Sequence, residues 1–129
     1  MRISGGKAKG IPLKVNKKGG VRPAIETTRE RLFSSIFQSV ENAIVLDLFA
    51  GSGAYGLESL SRGAKQATLV EKNRLVFNDL KTNLAAVLKS ASLEGEAGKL
   101  VNRDVLDFAK EPPSPVSYTH LTLPTNREV

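Results

Sequence analysis

The sequence predicts an α/β fold built on a parallel sheet, and three observations predict it. The apolar run Ile44-Val45-Leu46-Asp47-Leu48-Phe49-Ala50 ends in a glycine-rich turn and reads as a buried parallel strand interrupted by one carboxylate. Gly51, Gly53 and Gly56 follow with G-x-G-x-x-G spacing, which lets the backbone turn sharply and come close to a bound molecule. About 20 residues after Gly51, a second apolar run, Ala67-Thr68-Leu69-Val70, ends in Glu71, where a nucleotide-type site keeps its acid. Strand, glycine turn, helix, strand and acid make half of a nucleoside-binding crevice, with the free N–H groups of the helix aimed at the same spot. The competing reading is that the glycines serve only close helix–strand packing.

The 129 residues suit one domain, and 40% hydrophobic content suits a globular core. No apolar stretch approaches the roughly 20 residues that span a bilayer. Met1-Arg2-Ile3-Ser4 leads into glycine and lysine rather than an apolar segment, so no signal peptide and a cytoplasmic location are expected. The chain has no cysteine and one histidine, which excludes a disulfide framework, a thiolate metal site and a multi-histidine metal site. Neither a metal nor a membrane is expected as a partner.

The net charge of +6 is unevenly spread, since residues 1–31 hold nine basic and two acidic side chains and the other 98 are close to neutral. Positive charge concentrated beside a nucleotide fold suggests a polyanionic partner, most naturally nucleic acid. A basic arm that is only solvated is the alternative.

Residues 1–25 read as an irregular β-ribbon. Glycines at 5, 6, 10, 19 and 20 and prolines at 12 and 23 break any helix. Ile3, Ile11, Leu13 and Val15 offer period-2 apolar anchors between lysines. A ribbon of this kind can lie along a phosphate backbone. Next, Thr27 with Glu30 forms a capping box ahead of a helix with the stripe Leu32, Phe33, Ile36, Phe37 and Val40. Arg29 and Arg31 lie off that stripe.

After the turn, a helix from about Ala54 passes Leu57 and Leu60 and stops near Gly63. Gln66 to Glu71 is the second strand. Asn73 caps a long helix whose inward face carries Val76, Leu80, Leu84, Val87 and Leu88. Ser90 to Gly98 is a polar loop, and Leu100-Val101 a short third strand. Asp104 follows at the crevice end, as a ligand or as the cap of a short helix Val105–Lys110. The βαβαβ order implies a parallel sheet with its ligand at the carboxyl ends of the strands. Asp47, Gly51, Gly53, Glu71 and Asp104 all map to that end.

Leu46-Asp47-Leu48-Phe49-Ala50-Gly51-Ser52-Gly53 resembles the first motif of S-adenosylmethionine-dependent methyltransferases that modify nucleobase amino groups. The opening Met1-Arg2-Ile3-Ser4-Gly5-Gly6-Lys7-Ala8-Lys9-Gly10, with Val21-Arg22-Pro23 and Arg29-Glu30-Arg31-Leu32-Phe33, narrows the likeness. Together they resemble the bacterial 16S ribosomal RNA guanine-N2 methyltransferase family of the RsmD type, over roughly residues 1–113.

The resemblance implies the N-terminal half of a Rossmann-like class I methyltransferase fold with S-adenosyl-L-methionine as cofactor. It implies that Gly51 and Gly53 admit the methionine part, that Asp47 orients its ammonium group and that Glu71 accepts from the ribose hydroxyls. It further implies that Asp104 takes the adenine amino group with Val105 beside the ring, and that Phe49, Ala50, Ser52 and Lys72 complete the site. Arg2, Lys7, Lys9, Lys14, Arg22 and Arg29 are the implied RNA contacts. The implied partner is small-subunit ribosomal RNA or the assembling 30S particle, and the full-length protein is expected to be a monomer. An NAD-type ligand would instead set a diphosphate near Asp47, where like charges repel.

The chemistry of that family rests on an Asp/Asn-Pro-Pro-Tyr/Phe turn after a fourth strand, which holds the guanine amino group and stacks the flipped base. Exocyclic N2 is a poor nucleophile, so the site works mainly by positioning it in line with the sulfonium methyl. The one Pro-Pro here, Pro112-Pro113, sits between Glu111 and Ser114 after a helix end, and is not read as that turn. No catalytic residue is therefore assigned. Three units are expected: a basic arm at 1–26, a partial cofactor domain at 27–115, and a non-matching, foreign tail at 116–129 that includes His120. Lacking the fourth strand, the first would become an apolar edge prone to aggregation, and the chain would fold only in part. A non-catalytic RNA- or nucleotide-binding fragment is the alternative reading.

Overall fold

In the structure, a computed structural model, residues 1–15, 31, 40–110 and 120–122 are described. Four strands, β1 (Ile44–Asp47), β2 (Gln66–Val70), β3 (Gly98–Val101) and β4 (His120–Thr122), form one sheet in the order β3-β2-β1-β4, all pairs parallel. Helix α1 (Ala54–Ser61) connects β1 to β2 and packs on both. Helix α2 (Arg74–Ser90) connects β2 to β3 and rests on α1 and β3. A single 3-10 turn, Gly95–Ala97, leads into β3, and α3 (Val105–Lys110) follows it.

Local chemistry explains the ends of these elements. Gly63 holds φ +106, its N–H reaches Leu60 O at 3.2 Å, and Ala64 N–H reaches Ser59 O at 2.9 Å, the paired bonds of a Schellman stop. Asn73 Oδ1 accepts the Val76 N–H at 3.0 Å and caps α2. Beneath the helices, Val45, Leu57, Leu60, Ala67, Leu69, Leu80 and Val87 form the buried core.

One expectation is corrected. The strand β1 is not an edge, because Val45, Leu46 and Asp47 pair with His120, Leu121 and Thr122 of β4. A fourth strand is thus present inside the stretch expected to be foreign, and backbone partners flank β1 on both sides. The N-terminal segment is the expected irregular ribbon, anchored by its apolar residues. Residues 1–15 fold back on themselves through an Arg2–Pro12 antiparallel bridge, with Ile3 N–H on Ile11 O at 3.0 Å and Leu13 N–H on Met1 O at 2.8 Å. Ile3, Ala8 and Leu13 are buried in the same core as the sheet.

The helix expected from Thr27 lies outside the described residues except for Arg31 and Val40, both helical, with Val40 buried. Pro112-Pro113 and most of the tail also lie outside them.

Candidate cofactor site

The topological reversal falls between β1 and β4, and open α/β sheets bind ligands at the carboxyl ends of strands near such a point. A hollow of about 230 Å³ lies over the carboxyl ends of β1, β2 and β3, lined by Leu48 and Phe49 after β1, Val70 to Lys72 after β2, and Arg103 to Leu106 after β3. Its wall is mainly apolar, with carboxylates from Glu71 and Asp104. Phe49 and Leu106 stand 53% and 71% exposed at its rim.

Of the residues predicted for the cofactor, Phe49, Glu71, Lys72, Asp104 and Val105 line this one hollow. Glu71 also organises it. Oε1 accepts the Gly51 N–H at 2.9 Å and Oε2 the Asn73 N–H at 2.9 Å, so one carboxylate ties the glycine turn to the start of α2. A carboxylate has about four acceptor positions, and two of them serve these backbone bonds. Asp104 caps the short helix and also borders the hollow. Oδ1 accepts the Leu106 N–H at 2.8 Å as a cap, while the carboxylate, 42% exposed, borders the hollow with Oδ2 3.9 Å from Lys72 Nζ.

The three glycines divide. A Cβ on Gly51, at φ +56, would meet nothing within 4 Å, whereas one on Gly53 would lie 2.5 Å from Leu80 and 2.8 Å from Leu57. On Gly56 it would lie 2.7 Å from Leu69. Close packing accounts for Gly53 and Gly56, and the open approach is at Gly51.

Asp47 departs most from its expected place. It is 2% exposed and does not line the hollow; its Oδ2 accepts the Gly56 N–H at 3.2 Å. Burial pushes its carboxyl up to about 7, against the lowering effect of the Phe49 and Gly56 N–H groups and with the aid of the nearby Glu71 charge. Asp47 therefore holds the turn from beneath. Ala50 is likewise a core residue, 7% exposed, with its N–H on Val70 O at 3.0 Å. Ser52 turns its hydroxyl to Met1 Sδ at 3.8 Å.

Among the predicted RNA contacts, Arg2, Lys7, Lys9 and Lys14 are exposed; Arg2 Nη1 donates to Gly10 O at 3.1 Å. Arg22 and Arg29 lie outside the described residues. Lys7 sits at the far end of α1, where its N–H meets Ser61 O at 2.8 Å, while Lys14 sits by the glycine turn against Asn83.

Three polar residues were missed by sequence reasoning. Glu58, fully buried, accepts from Ser4 N, Ser4 Oγ and Gly5 N at 2.9 Å each and pairs with Arg62 Nε at 2.7 Å. Ser61 Oγ donates to Gly5 O at 2.6 Å and accepts from Ala8 N at 2.9 Å. Asn83 takes hold of Lys14 and Ser52. The available signal was helical phase, since Asn83 falls three residues after Leu80 and four before Val87, on the face that packs inward. Among the described residues no cluster could hold a metal ion, and no helix is long and apolar enough to cross a membrane.

A parallel sheet with a glycine turn, an acid after the second strand and a hollow over the strand ends defines a partial Rossmann-like fold of the class I methyltransferase kind. Two solved structures share it: the methyltransferase yhhF from Escherichia coli (TM-score 0.70, 40% identity, 84% of this chain and 55% of that one) and a hypothetical protein from Thermus thermophilus (TM-score 0.68, 36% identity, 85% and 59%).

The chain belongs to the family described as conserved hypothetical protein 95, whose model matches residues 1–120. It is similar to ribosomal RNA small subunit methyltransferase D of Escherichia coli, with 37% identity over 127 residues, 98% of this chain and 61% of that protein. The Haemophilus influenzae protein of the same name is 39% identical over 112 residues, 87% of this chain and 56% of its own. The chain thus spans about 61% of the first of these relatives.

Proposed function

We propose that this chain is the cofactor-binding part of an S-adenosyl-L-methionine-dependent enzyme of the cytoplasm that methylates the exocyclic N2 of a guanine in small-subunit ribosomal RNA. The observation that carries this reading is the hollow itself, where Glu71 and Asp104 face an apolar wall beside the open Gly51. Its chemistry fits a nucleoside without phosphates: hydroxyl and amino groups can donate to the carboxylates, and Phe49, Val70, Val105 and Leu106 offer an apolar surface to a base. Bound, the cofactor would supply an electrophilic methyl; the residues of the chain would hold the nucleoside end and exclude water from it. The names of the curated relatives support the RNA substrate.

Calorimetry with S-adenosylhomocysteine and with NAD tests the ligand. Binding of the first and not the second is the expected outcome; the reverse would overturn the reading. A second reading is a non-catalytic binding fragment, favoured by the absence from all 129 residues of an Asp/Asn-Pro-Pro-aromatic run. Tritiated-methyl transfer to undermethylated small subunits separates the two, and no turnover is expected from this chain alone.

A further inference from the structure

Asn83 lies 2% exposed on the inward face of α2, among Leu80, Leu84 and Val87, where an apolar residue would serve the core. Its Oδ1 accepts the Lys14 N–H at 2.7 Å and its Nδ2 donates to Lys14 O at 2.9 Å, so the side-chain amide pairs with the arm as a neighbouring strand would. The second Nδ2 hydrogen goes to Ser52 O at 2.8 Å, which uses up the donors of the amide. Ser52 stands between Gly51 and Gly53, both at positive φ. The other end of the arm meets the turn as well, through Met1 Sδ and the Ser52 hydroxyl.

One buried amide therefore joins two segments with separate roles: the basic arm and the turn beside the hollow. We propose that Asn83 is a positioning residue that clamps the arm to the glycine turn, so that ordering one by its ligand orders the other. The ligands concerned are a polyanion on the arm and a methyl donor in the hollow, and to that extent the inference rests on the function proposed above. Coupling of this kind is reciprocal. Its loss would remove the partner of three part-buried backbone groups, Lys14 N, Lys14 O and Ser52 O, which this amide now joins.

Amide hydrogen exchange on the full chain tests the clamp, first without ligand. Asn83→Leu is expected to speed exchange at residues 13–15 and 51–53 together, by about tenfold or more, beyond any change in β2 and β3. Val87→Ala, a cavity in the same helix, is the comparison for a merely structural role and should speed those segments no more than β2. If Asn83→Leu does not fold, Asn83→Ser serves, because a short hydroxyl cannot reach both segments. Acceleration of only one segment, or the same pattern in Val87→Ala, overturns the clamp.

With S-adenosylhomocysteine added, the wild type should be slowed at 51–53 and at 13–15, and the Asn83 variant at 51–53 only. Equal slowing of 13–15 in the variant overturns the clamp. No slowing anywhere counts against the methyl-donor reading instead, and the ligand-free comparison then decides the clamp by itself.

Discussion

Glu71 Oε1 accepts the backbone N–H of Gly51 at 2.9 Å, which binds the end of the second strand to the first glycine of the turn after the first. Two features that sequence places 20 residues apart are one structural unit. The acid is thus both a wall of the hollow and a brace for the turn, and substitutions around it should separate ligand binding from folding.

Gly51→Ala and Gly53→Ala should behave differently. A Cβ at Gly51 enters open space but strains a positive-φ residue, costing about 1 kcal/mol of stability while weakening S-adenosylhomocysteine by about tenfold through the blocked approach. At Gly53 the Cβ meets Leu80 and Leu57, so overpacking adds roughly 1–3 kcal/mol to the same strain. Urea unfolding and calorimetry on both variants check this; equal stability losses would contradict it.

Asp47 sets a pH dependence with a definite sign. Its carboxyl rises from 3.8 to about 7 on folding, chiefly through burial. Below about pH 4 it is protonated in both states; as pH rises toward 7 only the unfolded chain releases the proton, so stability is lost across that window. From the values 3.8 and about 7, the loss is on the order of 4 kcal/mol. Urea midpoints from about pH 4 to 8 should fall more steeply for the wild type than for Asp47→Asn, whatever the offset between them. Parallel profiles would disprove the assignment.

Glu58→Ala should cost about 3–5 kcal/mol, because it removes the carboxylate that pairs with the mostly buried Arg62 Nε and the acceptor of two backbone N–H groups of the arm. Glu58→Gln should cost less, since one acceptor survives. Limited trypsin digestion should cut first at Lys7 and Lys9 in the alanine variant, as the arm loses its hold on α1. Unchanged digestion would mean that Ser61 and Asn83 suffice.

Salt dependence should resolve the role of the arm. Exchanging Lys7, Lys9 and Lys14 for glutamine should flatten the slope of log RNA affinity against log salt by about 2, at roughly 0.7 per lost phosphate contact on single strands. Cofactor affinity should stay the same. A slope that does not move would leave these lysines as solvating charge only.

The sequence by itself determined whatever depends on near neighbours in the chain. The α3 span 105–110, the Asn73 cap and the Gly63 stop all appear as read, because periodicity, caps and positive-φ glycines act within one or two turns. The succession of the first three strands along the chain, and with it Glu71 and Asp104 at one rim, followed from the same local pattern repeated.

Only the tertiary structure decided which glycine is open, that Asp47 is a buried brace, that β4 covers β1, and that the arm belongs to the core. Each of these depends on contacts with distant parts of the chain. Ser4 meets Glu58 across 54 residues and Lys14 meets Asn83 across 69. Burial and hydrogen bonding at such separations are set by how the layers close on one another, which no local propensity encodes.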